Sequence, residues 1–217
     1  MPAPEIKFCG LTRAADAAIA AELGAGYAGA IFAGGPRLLD AARANEMFAG
    51  LGGSPVRRVG VFASSTLDEI LRIADETRLH VLQLHDGGTP DRILSLRERF
   101  DGAIWAVVRV AGATVEPVSE TVLAAVDAVV LDTAVGGRSG GTGVAFRWEE
   151  SAAAVGRVSA RCPVVLAGGL RPANVQEAVR LLAPRVVDVS SGVESAPGIK
   201  DPESMRAFAL AARSCED

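Results

Sequence analysis

The sequence is poor in cysteine, and its cysteines form no disulfide or metal-ligand pattern. Cys9, Cys162 and Cys215 are far apart and odd in number, and no CxxC or Cys/His spacing is present. A disulfide framework and a zinc site are therefore unsupported, and we expect no metal. Unpaired thiols fit the reducing cytosol, so we expect a cytoplasmic protein.

Long apolar runs and concentrated positive charge are also missing. No apolar run approaches the roughly 20 residues of a membrane span, and no basic-then-apolar leader precedes the first predicted strand. The 22 Lys and Arg residues are interspersed with 26 Asp and Glu residues, for a net charge of −4. Without a basic stripe or polybasic tail, neither nucleic acid nor a membrane is expected as a partner.

The chain does contain a regular alternation of short β-rich runs and amphipathic runs rich in Ala, Leu, Arg and Glu. Strands are predicted near residues 5–9, 28–32, 57–63, 80–84, 103–109, 128–132, 163–166 and 186–190. Helices are predicted near residues 13–24, 39–51, 66–77, 89–99, 114–126, 146–158, 172–182 and 202–213. Such alternation indicates βαβ units around a parallel sheet. Eight units in 217 residues, about 27 residues each, predict a single (β/α)8 TIM barrel domain over residues 1–217.

A doubly wound open sheet has the same order of elements and is the main structural alternative. Its dinucleotide-binding fingerprint GxGxxG is absent after the first strand, where KFCGLT at 7–12 holds one glycine. Glycine-rich strand ends come late in the chain instead, where barrels commonly bind phosphate. Backbone N–H groups can approach an anion closely at glycines. We therefore predict a phosphorylated small-molecule ligand, with its phosphate bound by Gly141, Thr142, Gly143, Gly168, Gly169, Ser190, Ser191 and Gly192.

Polar side chains at the predicted strand ends are the catalytic candidates, because barrels carry their active sites there. Cys9 suits burial as a small hydrophobe, but Lys7 shares its strand face and Gly10 follows it. A cation and a helix N-terminus would both lower the pKa of such a thiol. Asp132 ends VVLDT, where an aspartate can cap a turn or act in catalysis.

Other polar residues at strand ends are candidates for ligand contacts or for an interior ion pair. Gln83 and His85 share one face of a strand, although a histidine in this position is more often a solvated loop residue. Arg37 follows two glycines and a proline, in a stiff loop that can present its guanidinium to a carboxylate. Lys7 and Asp188 are interior charges on strands 1 and 8, which are neighbours in a closed barrel. We therefore predict that they form a buried ion pair.

Eight segments lie in order along the chain: KFCGLTRAADA (7–17), AGAIFAGGPR (28–37), VGVFA (59–63), LQLHD (82–86), VLDT (130–133), GGTG (140–143), LAGGLRPANV (166–175) and VDVSSGVESAPGIKD (187–201). Together they resemble the phosphoribosylanthranilate isomerase family over essentially the whole chain. Single pieces such as GGL or GGTG are weak evidence for this family when they are taken alone. KxCG at the first strand together with VDVSSGVE and PGxKD at the last is the specific part of the resemblance.

The resemblance implies an isomerase of tryptophan biosynthesis. Its reaction would be the Amadori rearrangement of N-(5-phosphoribosyl)anthranilate to 1-(2-carboxyphenylamino)-1-deoxyribulose 5-phosphate by general acid-base catalysis, without cofactor or metal. The resemblance also implies that Cys9 is the general base, Asp132 the general acid and Arg37 the ligand of the anthranilate carboxylate. Gln83 and His85 complete the expected substrate contacts.

The chain departs from the family's pattern at several positions. GGPR stands where SPR is usual, LHD where LHG is common, FRW at 146–148 where FDW is frequent, and Ala106 where many members carry lysine. These departures leave the shape of the anthranilate pocket open. The functional alternatives are another phosphosugar barrel (an epimerase, an indole-forming synthase or an aminoaldose isomerase), a non-catalytic phosphometabolite sensor, and a thiol redox protein. The assembly is expected to be a monomer or a homodimer.

Overall fold

A computed structural model of the chain describes residues 3–135, 138–139 and 147–214. Within these ranges eight parallel strands alternate with eight helices. The strands are β1 (Glu5–Phe8), β2 (Tyr27–Ile31), β3 (Arg57–Phe62), β4 (Val81–Leu84), β5 (Ala103–Ala111), β6 (Ala128–Val135), β7 (Val164–Leu166) and β8 (Val186–Val189). The helices are α1 (Ala14–Glu22), α2 (Ala41–Ala49), α3 (Leu67–Thr77), α4 (Pro90–Arg97), α5 (Glu120–Ala125), α6 (Trp148–Ser159), α7 (Val175–Leu182) and α8 (Pro202–Arg213). None of the described helices is long and apolar enough to cross a bilayer.

The parallel sheet closes on itself. Each of the first seven strands pairs in parallel with the next of the eight, and β8 pairs in parallel with β1. The predicted barrel is confirmed. The doubly wound alternative is wrong, because an open sheet would leave two unpaired edges.

The largest departure from the predicted elements follows β5. The alternation predicted a helix over 114–126, but Thr114–Val115 pairs antiparallel with the end of β5, and α5 starts only after this pairing. Gly112, with φ of 61°, turns the chain back onto β5. The Ser119 side chain then accepts a backbone hydrogen bond and caps the short helix.

Apolar side chains fill two separate layers of the barrel. One layer lies between the strands and the helices, and the other fills the part of the barrel interior near the amino ends of the strands. In this interior layer Tyr27 and Trp105 meet edge to face with ring centroids 4.8 Å apart, and the Arg57 guanidinium lies over the Tyr27 ring. The amino end of the barrel is therefore packed with large side chains, whereas buried polar side chains lie toward the carboxyl end.

Two charged side chains lie inside the barrel where β1 meets β8. Lys7 and Asp188 are partners in strand register, and Lys7 Nζ donates a hydrogen bond to Asp188 Oδ2 at 2.8 Å. Lys7 is completely buried and Asp188 is 7% exposed. The predicted ion pair is confirmed. Because a buried charge without a partner is strongly unfavourable, each residue makes the other tolerable in the interior.

The carboxyl end of α7 is strained. Ala183 adopts φ 45° and ψ 50°, a left-handed conformation that costs an L-residue about 1 kcal/mol. Ala183→Gly should therefore raise the free energy of unfolding by roughly 0.5–1 kcal/mol. Ala160, also exposed, ends α6 in a right-handed conformation, so Ala160→Gly should lower the same quantity. Urea unfolding measures both changes, and a less stable Ala183→Gly variant would contradict the prediction.

Removing one member of the interior ion pair should be more damaging than removing both. Lys7→Met leaves the Asp188 carboxylate buried alone and should lower the free energy of unfolding by roughly 3–5 kcal/mol. Adding Asp188→Asn should restore much of this loss. As a control, Arg72→Met breaks the exposed Arg72–Glu76 pair and should cost no more than about 0.5 kcal/mol. Single-variant effects that simply add in this double-mutant cycle would argue against the pairing.

Candidate active site

A cavity of about 440 Å³ opens at the carboxyl ends of the strands. Parallel strands end at one rim of a barrel, so residues that are distant in the sequence converge there. Ten of the predicted site residues line the cavity: Cys9, Arg37, Gln83, His85, Asp132, Gly168, Gly169, Ser190, Ser191 and Gly192. The other three, Gly141, Thr142 and Gly143, lie outside the described residues.

Cys9 directly follows β1 and is buried, and its N–H donates to Val189 O at 2.9 Å. Gly29 on β2 leaves room for the thiol, since a β-carbon there would lie 3.1 Å from Cys9 Sγ. Burial raises the pKa of this thiol above its usual value, although the charge and the hydrogen bond of Lys7 lower it. The expected effect of a nearby cation is present, but the net shift of the pKa is upward. Lys7 supplies the expected cation, but removal from water outweighs it.

Asp132 lies on β6 and its side chain is buried. Burial raises the pKa of its carboxyl group, the His85 charge opposes this rise, and the nearby Asp188 carboxylate supports it. A raised pKa is the direction that a general acid at this position requires, because such a group must hold a proton near neutrality.

Several buried polar atoms of cavity residues have no hydrogen-bond partner among the described residues. They are Gln83 Oε1, His85 Nδ1, Asp188 Oδ1 and Ser190 Oγ. Since buried polar groups are normally paired, their concentration around one cavity favours a polar ligand. No group of three or more His, Cys, Asp or Glu side chains in the described ranges is arranged to hold a metal ion. That the reaction needs no metal or cofactor stays a prediction.

The loops after β7 and β8 have glycines where no side chain fits. Gly168 and Gly169 have φ of 81° and 67°, and a β-carbon on Gly168 would lie 2.1 Å from Thr133 Oγ1. A β-carbon on Gly192 would lie 1.9 Å from Leu170 O. The two loops therefore pack backbone to backbone, and this edge of the cavity consists largely of main chain. Such an edge suits an anion that is bound by N–H groups.

Arg37 extends from the loop after β2, where Gly34 and Gly35 adopt φ of 94° and 85°. Its Nε and Nη2 donate to the two carboxylate oxygens of Glu194, at 2.8 and 2.6 Å. Lys200 Nζ donates to the same carboxylate at 2.7 Å. Glu194 and Lys200 were not among the predicted site residues, because a loop has no periodicity that marks its buried side chains. Their one sequence signal was their place in the segments VDVSSGVE and PGxKD.

The chain matches a protein-family model described as "N-(5'phosphoribosyl)anthranilate (PRA) isomerase" over residues 6–211. A curated relative, "N-(5'-phosphoribosyl)anthranilate isomerase" of Syntrophus aciditrophicus (strain SB), is 40% identical over 215 residues, which cover 96% of this chain and 87% of the relative.

Solved structures show the same likeness in three dimensions. Phosphoribosyl anthranilate isomerase from Thermus thermophilus superposes with a TM-score of 0.81 at 31% identity and covers 95% of this chain and 97% of its own. A phosphoribosyl anthranilate isomerase in complex with reduced 1-(o-carboxyphenylamino)-1-deoxyribulose 5-phosphate gives a TM-score of 0.77 at 29% identity, covering 96% of this chain and 98% of its own.

These likenesses extend over almost the whole chain, so they include the described cavity residues as well as the barrel that carries them. The family match, the identity to curated relatives and the superposition on solved barrels agree with one another. The chain therefore belongs to the N-(5'-phosphoribosyl)anthranilate isomerase family.

Proposed function

We propose that this chain converts N-(5-phosphoribosyl)anthranilate to 1-(2-carboxyphenylamino)-1-deoxyribulose 5-phosphate, an Amadori rearrangement in tryptophan biosynthesis. The family membership supports the reaction, and the solved relative that holds a reduced form of this product supports the ligand. The observation that carries the proposal is that a buried thiol and a buried carboxyl, Cys9 and Asp132, line one cavity. Strands β7 and β8 separate β1 from β6, an arrangement that suits two separate proton transfers.

Asp132 is the general acid in this proposal. Its protonated carboxyl gives a proton to the ring oxygen of the ribose as the bond between C1 and that oxygen breaks. The anilino nitrogen then forms a double bond to C1, which gives an iminium ion, and Asp132 is left as a carboxylate. Burial suits this role because it raises the pKa of the carboxyl and keeps a proton available for transfer.

Cys9 is the general base. Its thiolate takes the proton from C2, and the electrons of that C–H bond form the C1–C2 double bond of an enolamine. In the ketonisation of the enol, C1 gains a proton and the C2 hydroxyl loses one, which leaves a carbonyl at C2 and completes the rearrangement. Proton exchange with solvent then returns Cys9 to the thiolate and Asp132 to the acid. Burial works against the thiolate, and the Lys7 ammonium opposes that effect most strongly.

The other cavity residues bind the substrate in this proposal. Arg37 contacts the anthranilate carboxylate, while the unpartnered polar atoms of Gln83 and His85 contact other polar groups of the substrate. Backbone N–H groups of the glycine-rich loops bind the phosphate. The residues that would supply these N–H groups are Gly141, Thr142, Gly143, Gly168, Gly169, Ser190, Ser191 and Gly192. A cytoplasmic location and a monomeric or homodimeric assembly belong to the same proposal.

Removal of either proton-transfer group should lower turnover while leaving binding intact. Cys9→Ser and Asp132→Asn keep the side-chain shapes, and each should lower kcat by roughly 10²–10⁴-fold. Cys162→Ser is the matched control, because Cys162 is also buried but does not line this cavity. The measurements are steady-state kinetics with the phosphoribosylated substrate, calorimetry with product, and growth of a tryptophan auxotroph that lacks only this isomerase. Near-normal turnover by either variant, shown to be folded and to bind product, would falsify the assignment.

The two raised pKa values predict a particular pH profile. The acid must be protonated and the base deprotonated, and the thiol starts from the higher ordinary pKa. Accordingly kcat/KM should rise up to the pKa of Asp132, stay level up to the pKa of Cys9, and fall above it. In Asp132→Asn only the thiolate requirement is left, so the residual kcat/KM should rise to the thiol pKa and then level off. An alkaline fall that persists in this folded variant would count against Asp132 as the acid.

A further inference from the structure

Three charged side chains form a buried cluster at the rim of the cavity, here called the charge triad: Arg37, Glu194 and Lys200. Their side chains are 15, 5 and 0% exposed. One carboxylate is shared by two cations, so the triad carries a net charge of +1 when both cations are protonated. Lys200 Nζ also donates to Ser190 O at 3.1 Å, which ties the triad to the cavity wall.

We propose that Glu194 and Lys200 are positioning residues that prepare Arg37 for the carboxylate of the substrate. Glu194 holds one edge of the guanidinium and thereby leaves the opposite edge to the cavity, and Lys200 balances the charge of Glu194. This inference rests on the proposed isomerase function and adds two residues to its substrate site. Both residues act through Arg37.

The hydrogen bonds of Arg37 leave one complete donor edge. A guanidinium has five N–H donors and can form two parallel hydrogen bonds with a carboxylate. Glu194 occupies the edge formed by Nε and Nη2. The edge formed by Nη1 and the second hydrogen of Nη2 has no partner among the described residues, and Arg37 lines the cavity. A second carboxylate can therefore bind to Arg37 without displacing the first.

The stem of Arg37 is also fixed in place. A β-carbon on Gly10 would lie 2.5 Å from Arg37 Cδ and 3.0 Å from Ser190 Oγ, so the stem crosses directly over the residue that follows Cys9. Gly10 has φ of 64°, which glycine adopts readily. With the stem packed on Gly10 and the head paired with Glu194, few other rotamers are open to Arg37. Its donor edge is thus set before a ligand binds, which reduces the entropy lost on binding.

The charge of the triad depends on Lys200. Arg37 and Lys200 hold the pKa of Glu194 below its usual value although burial acts to raise it, so Glu194 is a carboxylate near neutral pH. Without Lys200 that carboxylate would cancel the charge of Arg37 and leave a neutral pair facing an anionic ligand. Burial lowers the pKa of Lys200, and the charge and hydrogen bond of Glu194 oppose this effect. While Lys200 is protonated, the triad keeps one positive charge in a poorly solvated place, where electrostatic attraction is stronger than in water.

The hairpin that carries Glu194 and Lys200 is anchored to the segment that follows β1. Its strands, Glu194–Ala196 and Ile199–Lys200, pair antiparallel. The backbone N–H of Lys200 donates to the buried carboxylate of Asp16 at 3.3 Å, and Arg13 Nη2 donates to Lys200 O at 3.1 Å. Arg13 and Asp16 are themselves paired at 2.6 Å. The triad is therefore built on a segment that is fixed at several points, as a positioning role requires.

The test compares two ligands across matched variants. One ligand is the reduced product analogue, and the other is the same compound without its carboxylate. The ratio of their dissociation constants, measured by calorimetry, reports recognition of the carboxylate alone. We expect a ratio of roughly 10–100 in the wild type, as for a charged bidentate hydrogen bond. It should fall to about 1–3 in Glu194→Gln and Arg37→Ala, and to an intermediate value in Lys200→Met. Glu76→Gln, which breaks an exposed pair with Arg72, should leave it unchanged.

Two results would overturn the inference. An unchanged ratio in Glu194→Gln would mean that the pair serves only the fold, and a larger ratio would mean that Glu194 competes with the ligand. Thermal unfolding checks each variant. If Glu194→Gln does not fold, Glu194→Asp keeps the charge but withdraws the carboxylate by one methylene, and the same fall is expected. Wild-type turnover is measured separately, so a protein without isomerase activity is distinguished from one in which Glu194 has no positioning role.

Discussion

The ion pair between Lys7 and Asp188 is the interaction on which the rest of the site depends. It lies in register across the contact that closes the barrel, between the first strand and the last. The same two charges act on both proton-transfer candidates: Asp188 raises the pKa of Cys9 and of Asp132, and Lys7 lowers both. Because these effects oppose each other, burial decides the direction at both groups. The strand pair that closes the barrel therefore also places two opposing charges beside both proton-transfer candidates.

Burial has opposite consequences for the proposed chemistry of Asp132 and Cys9. In the proposed mechanism burial helps Asp132, since a general acid must start with its proton. In the same mechanism burial hinders Cys9, since a general base must start without its proton. The Lys7 ammonium is the strongest of the influences that lower the pKa of Cys9, and its hydrogen bond to Asp188 holds it in place.

The sequence was sufficient for those features that depend on periodicity and strand order. Alternating elements predicted the barrel, and parity on strands 1 and 8 predicted the pair of Lys7 and Asp188. Prediction from the sequence failed for features that depend on tertiary burial or on loop structure. The thiol pKa depends on how completely Cys9 is enclosed, and the segment 114–126 depends on one turn at a glycine. Glu194 contacts an arginine 157 positions away, a separation that no local pattern reports.

The position of β8 and its hairpin in the sequence bears on how the protein folds during synthesis. Asp188, Glu194 and Lys200 follow Cys9, Arg37 and Asp132 in the sequence, so the ribosome adds them later. A nascent chain that contains Cys9, Arg37 and Asp132 but not yet β8 has no Asp188 to pair with Lys7 and no Glu194 to pair with Arg37. Closure of the sheet and completion of the charge triad therefore both require the segment from β8 to the end of the hairpin.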